Sequence, residues 1–412
     1  MLQYVSITPA RRSLEFGIYR DGDNNLDAIQ ESTLSQALRT SQRDGRIEFT
    51  VQDTTQLRAD GDAIRSGALH TEQYTIADGD LAHVRLSQAH DMSSETNLAR
   101  FVAHTLDNAQ KSGAKQTWID LVDHGGGDGG GLETGDGSVM AMPQIARAIA
   151  DGVALHARAH PEDGSRHVDG VVANQCLMDT MGFADALSHA GVKYLAASPE
   201  TMLAPGVPSD VAHVIASHLD DPRAMSKAIV GDVMRTKYDA GDFGGFGPAA
   251  AFDVLVLDAE KIARAEHSIK TLNDDVGEAA TRPGVRASLR EDARAIDGMA
   301  RFPERTKDMP WRADRPAIAF YDTLAEDGRL SARLRDDAKA AADAVGDLVL
   351  AHRESDDFVP FGHADYSDAA GPTVHLPTSR RQIDPWAGAG VTETGNEFYE
   401  KVDEAAMTRA LT

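Results

Sequence analysis

Apolar and polar positions along this 412-residue chain switch repeatedly between the period of a strand and the period of a helix. Leu14–Arg20 (LEFGIYR) has strand character and runs into the polar turn Asp21–Asp27 (DGDNNLD). A helix is predicted from about Ala28 to Ser41, then a strand over Ile47–Asp53. The section from Gly67 to Leu86 alternates around Asp78-Gly79-Asp80 and predicts a small edge hairpin. A helix begins near Ser94, places Leu98, Phe101, Val102, Thr105 and Leu106 at helical spacing, and stops at Lys111-Ser112-Gly113. Gln116–Val122 (QTWIDLV) reads as a buried strand ending in Asp123-His124-Gly125-Gly126-Gly127. After a helix over about Pro143–Arg158, Val168–Ala173 predicts a second strand, ending in Asn174-Gln175-Cys176. Lys193–Ala197 predicts a third, ending in Ser198-Pro199-Glu200-Thr201.

Downstream, the pattern predicts helices across Asp210–Tyr238, a strand near Phe252–Leu257, charged helices around Ala259–Ala300 and Ser331–His352, and a short strand Thr373–Leu376. Alternating strands and helices point to a layered α/β fold with a mainly parallel sheet. Residues 14–258 read as a core and 259–412 as a C-terminal elaboration packed on it. The glycines and proline of Gly241–Pro248 mark either a boundary or a loop bordering a site. In open α/β sheets ligands bind beyond the carboxyl ends of the strands, where three successive polar strand ends fall here.

Composition narrows the chemistry. Sixty-five acidic residues against 41 lysines and arginines give a formal charge of −24, which repels phosphate backbones and anionic lipid. Neither nucleic acid nor a membrane is an expected partner, while cationic peptides are favoured. No stretch approaches the length of a membrane span, and the start of the chain lacks a long apolar core. The expected location is cytoplasmic, or secreted without a recognisable signal peptide, and the expected state is a monomer. Cys176 is the only cysteine, so the chain forms no internal disulfide and no thiolate cluster for zinc.

A lone thiol is either packed or reactive. For Cys176 the position after a strand, beside Asn174 and Gln175, favours reactivity, and His124 ends a neighbouring predicted strand. The separation of 52 positions, histidine first, resembles the order seen in caspases. Glycines after His124 allow close backbone approach, so the Gly125 N–H is a candidate oxyanion donor. No third residue stands out. Gly125, Gly127 and Gly130 also match G-x-G-x-x-G literally, but no helix follows directly, as a dinucleotide fingerprint requires. The string HGGG lacks the G-x-S-x-G of a serine hydrolase. Asp21–Asn25 together with Asp123 and His124 offer a carboxylate-rich metal site, although Asp and Asn there equally make a turn and cap the next helix. Asp21, following the first strand, is placed to line the cleft.

Six segments, in order, resemble the blocks of clostripain-like cysteine peptidases: Ile18–Asp27, Ile119–Gly127, Ala173–Leu187, Tyr194–Pro208, Ala317–Leu324 and Gly371–Pro377. The resemblance runs from residue 14 to about 400. It implies a caspase-like three-layer α/β/α sandwich, a His124/Cys176 dyad, and endopeptidase cleavage after Arg or Lys. It also implies self-cleavage between the dyad residues, an interval that holds Arg147, Arg158 and Arg166, with the polar stretch His156–His167 as the exposed part. One position departs. The family carries an Asp two residues before the nucleophile, associated with the P1 pocket, and this chain has Asn174. Glu200 then becomes the candidate carboxylate for a basic P1 side chain, with Thr201 nearby. No cofactor is required by this chemistry. Calcium, used by the type member, is an optional cation, with no EF-hand spacing in the chain. Two other classes remain: a peptide-binding relative without activity, and a metal-dependent hydrolase built on the Asp and His residues.

Overall fold

The computed structural model describes residues 12–27, 32–60, 63–86, 90–162, 166–203, 205–237, 247–296, 298, 313–355, 365–379 and 397–412. Eleven strands are described: β1 Leu14–Asp21, β2 Ile47–Asp60, β3 Ala63–Ala77, β4 Asp80–Arg85, β5 Gln116–Val122, β6 Gly170–Asn174, β7 Tyr194–Ala197, β8 Ala251–Val256, β9 Asp314–Pro316, β10 Val349–Glu354 and β11 Thr373–His375. The helices used below are α1 Ser32–Arg43, α2 Glu95–Ser112, α3 Met142–Ala159, α4 Met181–His189, α5 Val211–Ser217, α6 Pro222–Arg235, α7 Ala259–Ala279, α8 Pro283–Ala295, α9 Ala317–Glu326 and α10 Ala332–Gly346.

Nine strands form one sheet in the order β10-β8-β7-β6-β5-β1-β2-β3-β4, and β11 pairs with β9 in a second. Its centre is parallel: β2, β1, β5, β6 and β7 pair in turn. These strands alternate between two apolar cores, one on each face. Phe16, Ile18, Trp118, Val172 and Ala196 face a layer containing α1, α5 and α6. Tyr19, Ile119, Leu121, Val171, Ala173, Leu195 and Ala197 face α2, α3, α4, α7, α9 and α10. A parallel sheet covered on both faces needs near-continuous apolar strands, and QTWIDLV and GVVAN supply them.

The expectation of a mainly parallel sheet is corrected. With the small sheet included, five strand pairings are antiparallel and four are parallel. The antiparallel pairs lie at the edges, where the sequence signal is weakest. β2 runs on to Asp60 and turns back into the 15-residue β3 through polar sequence, and every residue of β4 is exposed. β10 (VLAHRE) follows α10 so closely that its alanine and charges extend the helical pattern; the predicted helix to His352 in fact stops at Gly346. β10 pairs with β8, so the 259–412 segment contributes an edge strand to the main sheet. The predicted helix start at 28–31 and most of the 241–248 loop lie outside the described residues.

Candidate active site

Parallel register decides which loop residues meet. Val122 of β5 pairs with Asn174 of β6, so His124 and Cys176 each stand two residues beyond the same registered pair. Both line one cleft together with Leu26, Asp123, Asn174, Gln175, Met202, Leu203 and Gly206. Three strand-end loops, after β5, β6 and β7, thus converge on one site.

Backbone contacts hold the two sides together. The Gln175 side chain donates from Nε2 to the His124 carbonyl at 2.9 Å, tying the histidine to the cysteine loop. Gly125 presses directly on that loop: a Cβ there would lie 2.3 Å from the Cys176 carbonyl oxygen, so any side chain would push the loops apart. Leu177, the residue after Cys176, is held at φ +66°, a region that a bulky side chain rarely adopts. Its N–H donates to the Glu200 carbonyl at 3.1 Å, which fixes the turn.

The Cys176 thiol is half-buried and bracketed by one residue. Met202 N–H donates to Sγ at 3.2 Å, and the thiol donates to the Met202 carbonyl at 3.6 Å. Burial raises its pKa above the ordinary thiol value, the Met202 N–H opposes this, and the negative charges of Glu200 and Asp123 add to the rise. Burial lowers the pKa of His124, with Glu133 opposing. Both shifts favour the uncharged forms, thiol and neutral imidazole. Among the described residues the thiol's hydrogen-bond partner is Met202 rather than His124.

Asn25 touches His124 directly, a contact that the sequence did not announce. Its Oδ1 lies 2.7 Å from His124 Nε2, which assigns the proton to Nε2 and leaves the lone pair on Nδ1. Asn24 beside it donates to Asp123 Oδ1 at 2.6 Å and to the Glu133 carbonyl at 2.7 Å, and its own Oδ1 accepts from Leu26 N–H at 2.9 Å. The DGDNN turn therefore docks on the histidine loop. Asn is common in such turns, so its identity alone carried no signal of this role.

The remaining predicted residues divide. Asn174 lines the cleft, but its amide is already spent on Val207: Nδ2 donates to the Val207 carbonyl at 3.1 Å and Oδ1 accepts from Val207 N–H at 2.8 Å. Gly206, at φ +79°, makes room for it, since a Cβ there would lie 1.9 Å from Asn174 Oδ1. Glu200 is fully buried, with Oε2 accepting from Thr201 N–H at 3.1 Å. Neither Glu200 nor Thr201 is among the residues that line the cleft. Asp21 is also fully buried, at the end of β1, and accepts from Asp23 N–H at 2.9 Å. It lies next to Asp123; burial first, then the neighbouring acids Asp23 and Asp91, raise Asp21 to about 7. Asp123 stands well above the usual carboxylate range, through burial and then the charge of Asp21. Of these two, Asp123 reaches the cleft wall.

Two three-residue clusters among the described residues have donor atoms close enough to hold an ion: Asp107/His156/His160 and Asp128/Asp314/His375. Neither includes His124, Asp123 or Asp21. Imidazole in both sets makes them unlike the six to eight oxygens of a calcium site.

No protein-family model matches the chain, and no curated protein does. Solved structures do. Iotapain, a secreted C11 cysteine protease from Bacteroides thetaiotaomicron, superposes with a TM-score of 0.61 at 12% identity, over 97% of this chain and 99% of that one. An inactive zymogen of a C11 protease from Parabacteroides distasonis gives 0.60 at 15% identity, over 96% and 99%. A B. thetaiotaomicron C11 protease bound to an irreversible peptide inhibitor gives 0.58 at 14%, over 95% and 99%. Across nearly its whole length, then, the chain has the three-layer α/β/α, caspase-like fold of the C11 clostripain-type cysteine proteases.

Proposed function

We propose that this chain is a cysteine endopeptidase of the clostripain type. The observation that carries the reading is the placement of His124 and Cys176 at level positions beyond two registered parallel strands, on the wall of one cleft. Cys176 Sγ attacks the scissile carbonyl carbon while His124 Nδ1 takes the thiol proton. The oxyanion accepts from the Gly125 N–H. His124 returns the proton to the leaving amine, and water then hydrolyses the thioester. Because the resting thiol donates to Met202, productive attack requires that bond to break as substrate enters. Asn25 is a positioning residue that holds the imidazole in the tautomer this scheme needs. No cofactor takes part in these steps.

Cleavage after Arg or Lys follows from charge. Asp123 brings a carboxyl to the cleft wall, with Asp21 buried beside it; burial holds both toward their neutral forms, and a cationic P1 side chain would favour ionisation of Asp123 and pair with the carboxylate. In this reading Asp123 replaces the acid absent at Asn174. Self-processing between the dyad residues falls most naturally at Arg166. Arg147 and Arg158 lie within α3, whereas Arg166 lies in the non-helical chain before β6. The likeness to a secreted protease extends the reading to secretion.

The test is hydrolysis of reporter peptides with Arg, Lys, Asn or small P1 residues by the wild-type chain, the iodoacetamide-treated chain and Cys176→Ala. Thiol-dependent cleavage after Arg or Lys is expected. Cleavage that survives loss of the thiol would overturn the reading.

A further inference from the structure

The outer face of the α2–α3 pair carries a cluster that the peptidase chemistry does not use. His156, in the last turn of α3, and His160, the residue that caps it, stand four positions apart and share a helix face. Their rings lie 5.0 Å apart. Asp107 faces them from α2. Its Oδ1 lies 2.6 Å from His156 Nδ1 and 3.2 Å from His160 Nε2, so a single oxygen meets both imidazoles. All three donor atoms lie within 4.8 Å of one another.

We propose that Asp107, His156 and His160 form a transition-metal site suited to Zn²⁺. Zinc takes nitrogen and oxygen ligands at about 2.0–2.1 Å in a tetrahedron, whose ligand–ligand edges are about 3.3 Å. The present separations of 2.6 and 3.2 Å open to that value with sub-ångström side-chain movements. His160 also has the support that ligating histidines need: Glu162 Oε1 lies 3.5 Å from its other ring nitrogen, Nδ1. That carboxylate would hold Nδ1 protonated and leave Nε2 for the metal. The His156 side chain is only 1% exposed, whereas those of His160 and Asp107 are each 29% exposed, so the site is anchored from inside and open to an entering ion. Water completes the tetrahedron. Two imidazoles and one carboxylate favour zinc, cobalt or nickel over calcium or magnesium, which prefer oxygen-only shells. An ion here would bind α2 to the end of α3 and fix the point from which the chain departs toward β6. The site stands independently of the peptidase reading.

The test uses the full chain carrying Cys176→Ala, so that the lone thiol cannot contribute. Zn²⁺ titrated against a chromogenic chelator is expected to bind one equivalent at micromolar concentration or tighter. His160→Gln and Asp107→Asn should each weaken that binding at least about tenfold, a loss of about 1.4 kcal/mol. With Co²⁺ as the probe, the visible absorption of a tetrahedral ion should be present in the parent and absent in His160→Gln. Glu162→Gln should give a smaller loss than either. Failure of the parent to bind one equivalent, or binding in both ligand variants equal to the parent's, would overturn the proposal and leave the cluster as a helix-to-helix hydrogen-bond network.

Discussion

The backbone N–H of Met202 points at the sulfur of Cys176 at 3.2 Å, while the thiol proton points back at the Met202 carbonyl. One residue of the loop after β7 therefore occupies both hydrogen-bonding directions of the nucleophile. The partner expected to activate it, His124, is turned toward Asn25. Several consequences can be measured.

Alkylation reports the state of the thiol. Because burial and nearby acids raise Cys176, the thiolate forms only at higher pH than for an ordinary cysteine. The rate of iodoacetamide modification of the free protein, followed by intact mass, should still be rising at pH 9. A plateau reached near neutral pH would mean a preformed thiolate–imidazolium pair.

Asn25 should affect rate and pH dependence separately from stability. Asn25 is exposed, so Asn25→Ala should leave the melting temperature nearly unchanged while kcat/KM falls about tenfold, the equivalent of one orienting hydrogen bond. Asn25→Asp places a carboxylate on Nε2–H and raises the His124 pKa. A base with a raised pKa is neutral only at higher pH, so the acidic limb of kcat/KM should move upward. An unshifted limb in Asn25→Asp would refute the contact.

Gly125→Ala tests the oxyanion loop. The added methyl would meet the Cys176 carbonyl at 2.3 Å, and backbone must move to relieve it. Loss of a placed donor should lower kcat by about 100-fold with a smaller change in KM. A kcat within about threefold of wild type would remove Gly125 from the mechanism.

At Asn174, restoring the acid expected from the family resemblance should not improve cleavage after basic residues. Asp at this position cannot donate to the Val207 carbonyl, and it would add a carboxylate beside buried Asp120. Asn174→Asp should therefore lose about 1–3 kcal/mol of stability. Asp123→Asn, by contrast, should reduce the preference for Arg and Lys reporters over neutral ones. The opposite pattern in the two variants would return the P1 role to Asn174.

Asp21 should make stability depend on pH. Its folded pKa, about 7, lies above the ordinary 3.8, so the folded state holds the proton longer and stability is lost as pH rises between those values. Asp21→Asn removes the buried charge. It should raise the melting temperature at pH 8 and change it little at pH 4, where the wild-type carboxyl is already protonated in the fold. A shift of equal size at both pH values would contradict this.

The central strands were legible because each must be apolar on both faces, as in QTWIDLV and GVVAN. The strand ends that carry His124 and Cys176 followed from those strands. The edges were not legible. β4 is exposed throughout, and β10 borrows the composition of the helix before it. Within the site, contacts made by backbone escaped the reading. Met202 meets Cys176 through its N–H and C=O, which every residue other than proline carries, so no side-chain pattern announces it. Asn25 lies 99 positions from His124, and its contact depends on β1 lying beside β5. Glu200 is near enough for its charge to act on Cys176, but it is fully buried and is not among the residues that line the cleft.

The pairing of Val122 with Asn174 has a metrical consequence. Adjacent strands in any sheet are spaced by their hydrogen bonds, about 4.8 Å apart, so the gauge between the histidine and cysteine loops is set by peptide geometry and not by the side chains around it. Replacing residues in the covering helices changes how firmly that gauge is held without rescaling it. A single residue inserted into β5 or β6 would be different: it would advance one loop by a strand step of about 3.3 Å and turn its side chains to the opposite face.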